Sequence, residues 1–179
     1  HLHLHSEYSL ADSTIRIPEL VGRCVAQGQP SVAMTDRNNL FALVKFYKAC
    51  ESAGIKPIAG ADISIAEGDE TPWKLTLLCR DRSGYLSLSR LLSRAWMEGQ
   101  RHDGVMVRPQ WLQEANAGLF ALAGRHSQAG QLLAGNRPDL ALQSLADWQR
   151  HFDDRFHLEL TRCGFEAETP FNAFALHAA

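Results

Sequence analysis

Residues 31–65 read SVAMTDRNNLFALVKFYKACESAGIKPIAGADISI, and this stretch decides the fold class. The residues at its two ends, 31–35 and 56–66, form apolar runs that are typical of buried strands. The segment between them ends at Gly54 and predicts a helix with one apolar stripe formed by Leu40, Leu43, Val44, Tyr47 and Cys50. Strand, helix and strand in this order indicate an α/β protein.

The same unit repeats on both sides of this stretch. Helical patterns cover residues 15–28, 83–99 and 137–152, and strand patterns cover 2–6, 72–80, 118–124 and 155–162. The strands look covered on both faces, which favours a largely parallel sheet or barrel. Since a complete (β/α) barrel needs about 250 residues, we expect a single domain over 1–179 that is truncated before its last strands.

The first residues, HLHLHSEYSLADS, alternate histidine with leucine. On a strand His1, His3 and His5 would project to one face and the leucines to the other. Imidazole is the commonest metal-binding side chain, and Asp12 adds a carboxylate nearby. A solvated edge strand is the alternative interpretation, whereas a purification tag would be a homopolymeric histidine run.

Aspartates occur after or within two further strands. Asp36 follows the strand at 31–35, and Asp62 lies within the next strand. Active sites of β/α barrels gather at the carboxyl ends of the strands, so these residues should converge with His3 and His5. An isolated aspartate after a strand is more often a turn former, and Asp36 is open to that interpretation.

Composition excludes several classes of protein. The 179 residues are 45% hydrophobic and 21% charged with a formal charge of -2, which does not fit a protein that grips nucleic acid through a basic face. The four cysteines form neither a CxxC pattern nor a disulfide scaffold, so we expect buried or half-buried thiols in a reducing compartment. No apolar run approaches the roughly 18 residues of a membrane span, and a cytoplasmic protein without membrane contact is expected.

Four stretches together resemble a known family. HLHLHSEYSLAD, AMTDRNNLFALVKFYKACESAGIKPIAGADI, LTLLCRDRSGYLSLSRLLSRA and FHLELTR are similar to the polymerase-and-histidinol-phosphatase (PHP) domain at the amino terminus of bacterial DNA polymerase III α subunits. The resemblance covers nearly the whole chain in order. It implies a distorted seven-stranded (β/α) barrel whose active relatives hold up to three metal ions at the strand ends.

The resemblance also implies a set of site residues. His3 and His5 fill the HxH pair of the family, Asp12 fills the next ligand position, and Asp62 replaces a glutamate. Asp36 is expected to support these ligands rather than to bind an ion.

Three positions at which the family carries metal ligands hold cations in this chain, namely Arg37, Lys74 and Arg125. Arginine cannot coordinate a metal because it has no free lone pair, and lysine can do so only after losing its proton. The resemblance therefore implies a vestigial site in which salt bridges to buried carboxylates replace the ions.

The expected function is that of a non-catalytic scaffold in a DNA-directed DNA polymerase that uses Mg²⁺ at aspartates elsewhere. Its expected partners are the rest of the α subunit and a proofreading exonuclease, and it would meet DNA through the parent chain. No catalytic residue or cofactor is expected within these residues. The alternative is a reduced site that keeps one Zn or Mn ion on His3, His5 and Asp12. One competing hypothesis is a metal-dependent phosphoesterase (a 3′–5′ exonuclease or pyrophosphatase). The other is a free-standing enzyme like histidinol phosphatase, which the polymerase-type stretch GIKPIAGAD makes less favoured.

Overall fold

The computed structural model describes residues 1–10, 12–166 and 168–178. Its helices are α1 (Ile17–Ala26), α2 (Leu43–Ser52), α3 (Arg82–Glu98), α4 (Pro109–Glu114), α5 (Gln128–Ala134), α6 (Pro138–Phe152) and α7 (Glu168–Ala178). Its strands are β1 (Ser31–Met34), β2 (Lys56–Ile65), β3 (Trp73–Cys79), β4 (Gln100–Arg101), β5 (Gly104–Val105), β6 (Leu119–Ala123) and β7 (Phe156–Leu158). Single 3-10 turns lie at Glu7–Ser9 and Asp153–Arg155.

Five strands form one sheet in the order β1-β2-β3-β6-β7. The outer pairs β1/β2 and β6/β7 are parallel, and β3 runs antiparallel to both of its neighbours. Only residues 66–72 join β2 to β3, and a connection this short returns the chain antiparallel, because a parallel crossover needs a dozen or more residues. The expected α/β architecture is confirmed, but the sheet does not close into a barrel within the described residues.

Most helices pack on the face of the sheet that lies away from the histidines. The largest apolar cluster there joins β2, β3 and β6 to α3 and α6, and its fully buried members include Ile63, Leu77, Leu88, Leu119 and Phe152. Gly60 of β2 leaves no room for a side chain, because a Cβ there would lie 2.4 Å from the carbonyl oxygen of Leu77. The polar residues of β2 and β3, including Asp62 and Lys74, lie on the opposite face of the sheet.

Helix α2 buries a narrower stripe than its sequence predicts. Phe46 and Cys50 are fully buried against α1 and β1, whereas Val44 and Tyr47 are 68% and 52% exposed. The stripe is centred on Phe46, so the prediction that Val44 and Tyr47 are buried is wrong.

The first residues form an extended segment rather than the predicted strand. The backbone N–H groups of Ala33 and Thr35 donate to the carbonyls of His1 and Leu4, so the segment lies along the outer edge of β1. The N–H of Leu4 donates to the hydroxyl of Thr35 instead of to a backbone carbonyl. Side-chain acceptors thus take the place of regular ladder bonds, which is why no strand forms.

The cysteine and membrane predictions have separate outcomes. Cys24 and Cys50 are buried free thiols and Cys79 is half-buried, but Cys163 is exposed, contrary to expectation. Within the described ranges no helix is long and apolar enough to cross a bilayer.

Candidate metal centre

Two histidine rings of the extended segment meet over the face of the sheet opposite α3 and α6. The ring centroids of His3 and His5 lie 5.2 Å apart. Leu4, which points the other way, packs against the cluster formed by α1, α2 and β1. The alternation of histidine and leucine therefore has the predicted geometric effect at these three positions, although Leu2 is half exposed.

Both rings face the carboxylate of Asp62, which β2 carries to the same place. The Nε2 atom of His5 lies 3.4 Å from Asp62 Oδ2, and the Nε2 atom of His3 lies 3.8 Å from it. One ligand atom from each residue can be chosen so that all three lie within 4.8 Å of one another. Asp62 is only 1% exposed, so its charge is held away from bulk water.

These three residues fit a divalent cation. His5 Nε2 and Asp62 Oδ2 are buried and have no hydrogen-bond partner among the described residues, although buried polar atoms are nearly always partnered. Ligand atoms bound tetrahedrally to one ion, at bond lengths near 2.0–2.1 Å, lie about 3.3 Å apart. The two distances to Asp62 Oδ2, 3.4 and 3.8 Å, are close to that value, and three protein ligands would leave a fourth position open.

Two further carboxylates contact the Nδ1 atoms of the same rings. His3 Nδ1 lies 2.9 Å from Glu159 Oε1, and His5 Nδ1 lies 2.5 Å from Asp12 Oδ2. Asp12, which the resemblance placed among the metal ligands, therefore contacts the far side of His5 and lies outside the group of three. Glu159 was not predicted, and the only sequence signal for it is its place directly after the strand FHL.

The charges of the cluster shift two pKa values. Burial alone would raise the pKa of Asp62, but the nearby side chains of His3 and His5 and the charge of Lys74 hold it well below its usual range. Burial alone would lower the pKa of His3, but Asp62 and Glu159 raise it from 6.5 to about 10. Without a metal, the cluster is therefore an imidazolium held between two carboxylates.

The three cations at predicted ligand positions differ in their surroundings. Lys74 Nζ lies 3.3 Å from Asp62 Oδ2. Arg37 is exposed and its backbone forms an isolated bridge with Asp62, while the Arg125 guanidinium stacks 5.3 Å from the Phe165 ring. Within the described residues, Lys74 is the one cation of the three whose side chain pairs with a carboxylate.

Asp36 anchors the segment that carries the histidines. Its buried carboxylate accepts hydrogen bonds from the Ser6 backbone N–H at 2.6 Å, the Ser6 hydroxyl at 2.8 Å and the Ser9 hydroxyl at 2.7 Å. These bonds fix the residue directly after His5 against the end of β1. Asp36 thus supports the segment that carries His5, and its expected role beside metal ligands stays a prediction.

The group opens into a cavity of about 690 Å³. His126 and Lys74 line it together with the three candidate ligands, and the charges of Arg125 and Lys74 add to burial in lowering the pKa of His126. A larger, mostly apolar cavity of about 1180 Å³ contains none of the candidate ligands and is lined partly by Ile58, Leu78 and Phe120. The chemistry-bearing residues therefore gather in the smaller, polar cavity.

Comparison with known proteins identifies related sequences. The PHP domain family matches residues 1–163. DNA polymerase III subunit alpha of Xylella fastidiosa strain Temecula1 is 58% identical over the whole of this chain, and the Escherichia coli K12 protein of the same name is 40% identical over the whole chain. The chain spans 16% of the length of the first of these relatives and 15% of the second.

Two solved structures share the fold at low sequence identity. A candidate metal-dependent phosphoesterase from Bifidobacterium adolescentis has a TM-score of 0.64 at 14% identity, covering 99% of this chain and 82% of that protein. An amidohydrolase from Chromobacterium violaceum, with bound sulfate and no metal, has a TM-score of 0.60 at 16% identity, covering 99% and 81%. Because the family match extends over most of the residues, this chain belongs to the PHP domain family.

Proposed function

We propose that this chain is the amino-terminal PHP domain of a bacterial DNA polymerase III α subunit and serves there as a scaffold. The observation that carries this proposal is the alignment of the whole chain, at 58% identity, with about 16% of an α subunit. The parent chain would be a DNA-directed DNA polymerase that binds DNA and Mg²⁺ through other domains. The net charge of -2 supports a role other than gripping DNA.

The metal site of the domain is reduced in this proposal. A centre of three ions needs ligands at positions where this chain has Arg37, Lys74 and Arg125, and an arginine cannot supply one. Lys74 pairs instead with Asp62 and adds a second positive charge, besides that of His3, next to this buried carboxylate. What is left is a site for one ion.

His3, His5 and Asp62 would hold that ion. A bound divalent cation supplies Lewis acidity toward a phosphoester oxygen. The protein's own part is to orient the two imidazoles, to exclude water around Asp62, and to line the cavity with the charges of Lys74 and Arg125.

The sheet is proposed to be part of a distorted barrel. The extended amino-terminal segment adds to the β1 edge through the bonds to Ala33 and Thr35. At the other edge, β7 leads into Glu159, which reaches His3 of that same segment. The two edges thus approach each other around the polar cavity, which supports a curled sheet.

The proposed partners are the remainder of the α subunit and a proofreading exonuclease. The test uses the full-length subunit, with its PHP domain intact and with His5→Ala. We expect both proteins to retain an added proofreading exonuclease through gel filtration, and both to leave a phosphoester substrate uncleaved in the presence of Mn²⁺ or Zn²⁺. Failure to bind the exonuclease, together with phosphoester turnover by the intact subunit, would contradict the scaffold role.

A phosphoesterase, either a 3′–5′ exonuclease or a pyrophosphatase, is the second candidate. It is favoured by the buried His5 Nε2 and Asp62 Oδ2, which form no hydrogen bond among the described residues and belong to a ligand set with an open position. Metal-dependent hydrolysis that disappears in His5→Ala would move this candidate ahead of the scaffold.

A further inference from the structure

One contact of the site joins the first residues of the chain to the last strand of the sheet. Both carboxylate oxygens of Glu159 lie near His3 Nδ1, at 2.9 and 3.1 Å. The backbone of Glu159 is itself fixed, because its N–H donates to the carbonyl of Ala123 at the end of β6. The backbone that carries this carboxylate is therefore held next to the end of β6.

Space for this carboxylate depends on a glycine. A Cβ on Gly124 would lie 2.6 Å from Glu159 Oε2, which is too close for the present arrangement. A larger residue at 124 would move the end of the Glu159 side chain without removing its charge. The position of the Glu159 carboxylate can thus be changed through Gly124, and its charge through Glu159 itself.

We propose that Glu159 is a positioning residue that holds His3 so that its Nε2 atom faces the ion site. An imidazole whose one nitrogen donates to a carboxylate presents the other nitrogen as the metal ligand. The same arrangement recurs at His5, where Asp12 holds Nδ1 and Nε2 faces Asp62. Glu159 and Asp12 thus act alike on the two rings.

Neighbouring contacts support this role for Glu159. The carboxylate contacts the nitrogen of His3 that lies away from Asp62, so it acts through the ring. The hydroxyl of Thr76 also approaches His3 Nδ1, but at 3.3 Å, which is longer than the distance to either Glu159 oxygen. The carboxylate is therefore the main partner of this nitrogen.

The inference rests on the proposed ion site, and its test separates the two. Four proteins are compared: the 179-residue chain, Glu159→Ala, Glu159→Gln and Gly124→Ala. Zn²⁺ affinity is measured by competition with a chromophoric chelator. The Nδ1–H of His3 is followed by ¹⁵N NMR of the ring in the metal-free proteins, and backbone amide spectra check that each variant is folded.

We expect Glu159→Ala to weaken Zn²⁺ binding by about 10- to 100-fold, which is typical for loss of such a partner. Gly124→Ala should also weaken binding, while Glu159→Gln, whose amide oxygen still accepts the bond, should retain more affinity than Glu159→Ala. In the metal-free proteins, a slowly exchanging Nδ1–H should be present in the unchanged chain and in Glu159→Gln, and lost in Glu159→Ala.

Two results would overturn the inference. Equal Zn²⁺ affinity in all four proteins would mean that Glu159 does not position a ligand. Equal weakening in Glu159→Gln and Glu159→Ala, with Gly124→Ala unaffected, would mean that only its charge matters. If the unchanged chain binds no Zn²⁺, the proposed ion site fails, and the ring NMR of the metal-free proteins still decides whether Glu159 orients His3.

Discussion

Replacing Lys74 with glutamine should strengthen metal binding. Lys74 Nζ lies 3.3 Å from Asp62 Oδ2, and an ion held by that oxygen would sit about 2.1 Å from it. The ammonium group and the ion would then be roughly 5 Å apart. At that separation a single and a double positive charge repel by about 1.7 kcal/mol even with the dielectric constant of water.

That repulsion corresponds to an affinity difference of about 15-fold. The side chain of Lys74 is 31% exposed, so water screens its charge only in part. We therefore expect Lys74→Gln to bind Zn²⁺ at least about tenfold more tightly than the unchanged chain. The assay is competition with a chromophoric chelator at pH 7 and constant ionic strength.

The matched control is Lys48→Gln, which removes the same charge from an exposed position on α2. Its Zn²⁺ affinity should match that of the unchanged chain. Equal or weaker Zn²⁺ binding in Lys74→Gln would refute the idea that the ammonium group competes with an ion. An equal gain in both variants would show an effect of net charge alone.

Three further predictions concern the free energy of unfolding in the metal-free chain, measured by urea denaturation. Asp36→Ala should lower it by about 3 kcal/mol, because buried donors of Ser6 and Ser9 lose their acceptor; a loss below about 1 kcal/mol would contradict the anchoring role. The folded-state pKa of Asp62 lies below its unfolded value of about 4, so its contribution to the free energy of unfolding is present above pH 4 and is lost as the pH falls further. In Asp62→Asn this free energy should therefore depend less on pH in the acid range. The same pH dependence in both proteins would be evidence against the shift. The raised pKa of His3, about 10, means that its contribution to the free energy of unfolding is complete below pH 6.5 and is lost as the pH rises to 10. In His3→Gln this free energy should therefore fall less between pH 6.5 and pH 10. The same fall in both proteins would contradict the pairing with Asp62 and Glu159.

The sequence was informative where local pattern decides structure. The strand, helix and strand around α2 form as predicted, because apolar runs and a helical period are properties of neighbouring residues. The resemblance to PHP domains is confirmed by the family match. The convergence of His3, His5 and Asp62 follows from alternation along an extended segment and from the position of Asp62 in β2.

The sequence was less informative where distant residues meet. Glu159 lies 156 positions from His3, and no periodicity links the two. The contrast between Lys74 and Arg37 depends on side-chain direction, since Lys74 lies diagonally opposite Asp62 in the sheet while Arg37 lies exposed beyond the end of β1. The predicted strand at residues 2–6 failed for another reason, namely that a threonine hydroxyl and an aspartate carboxylate accept bonds that a ladder would give to backbone carbonyls.

The contact between His3 and Glu159 also bears on how the chain folds. It closes a loop of 156 residues, and closing so long a loop carries an entropic penalty that grows with the logarithm of its length. The polar cluster can therefore assemble only after the sheet has brought the amino-terminal segment and β7 together, which makes it a late event in folding. Once formed, the cluster acts as a cross-link between the two edges of the sheet, so fraying that starts at the first residues must break it before it can spread.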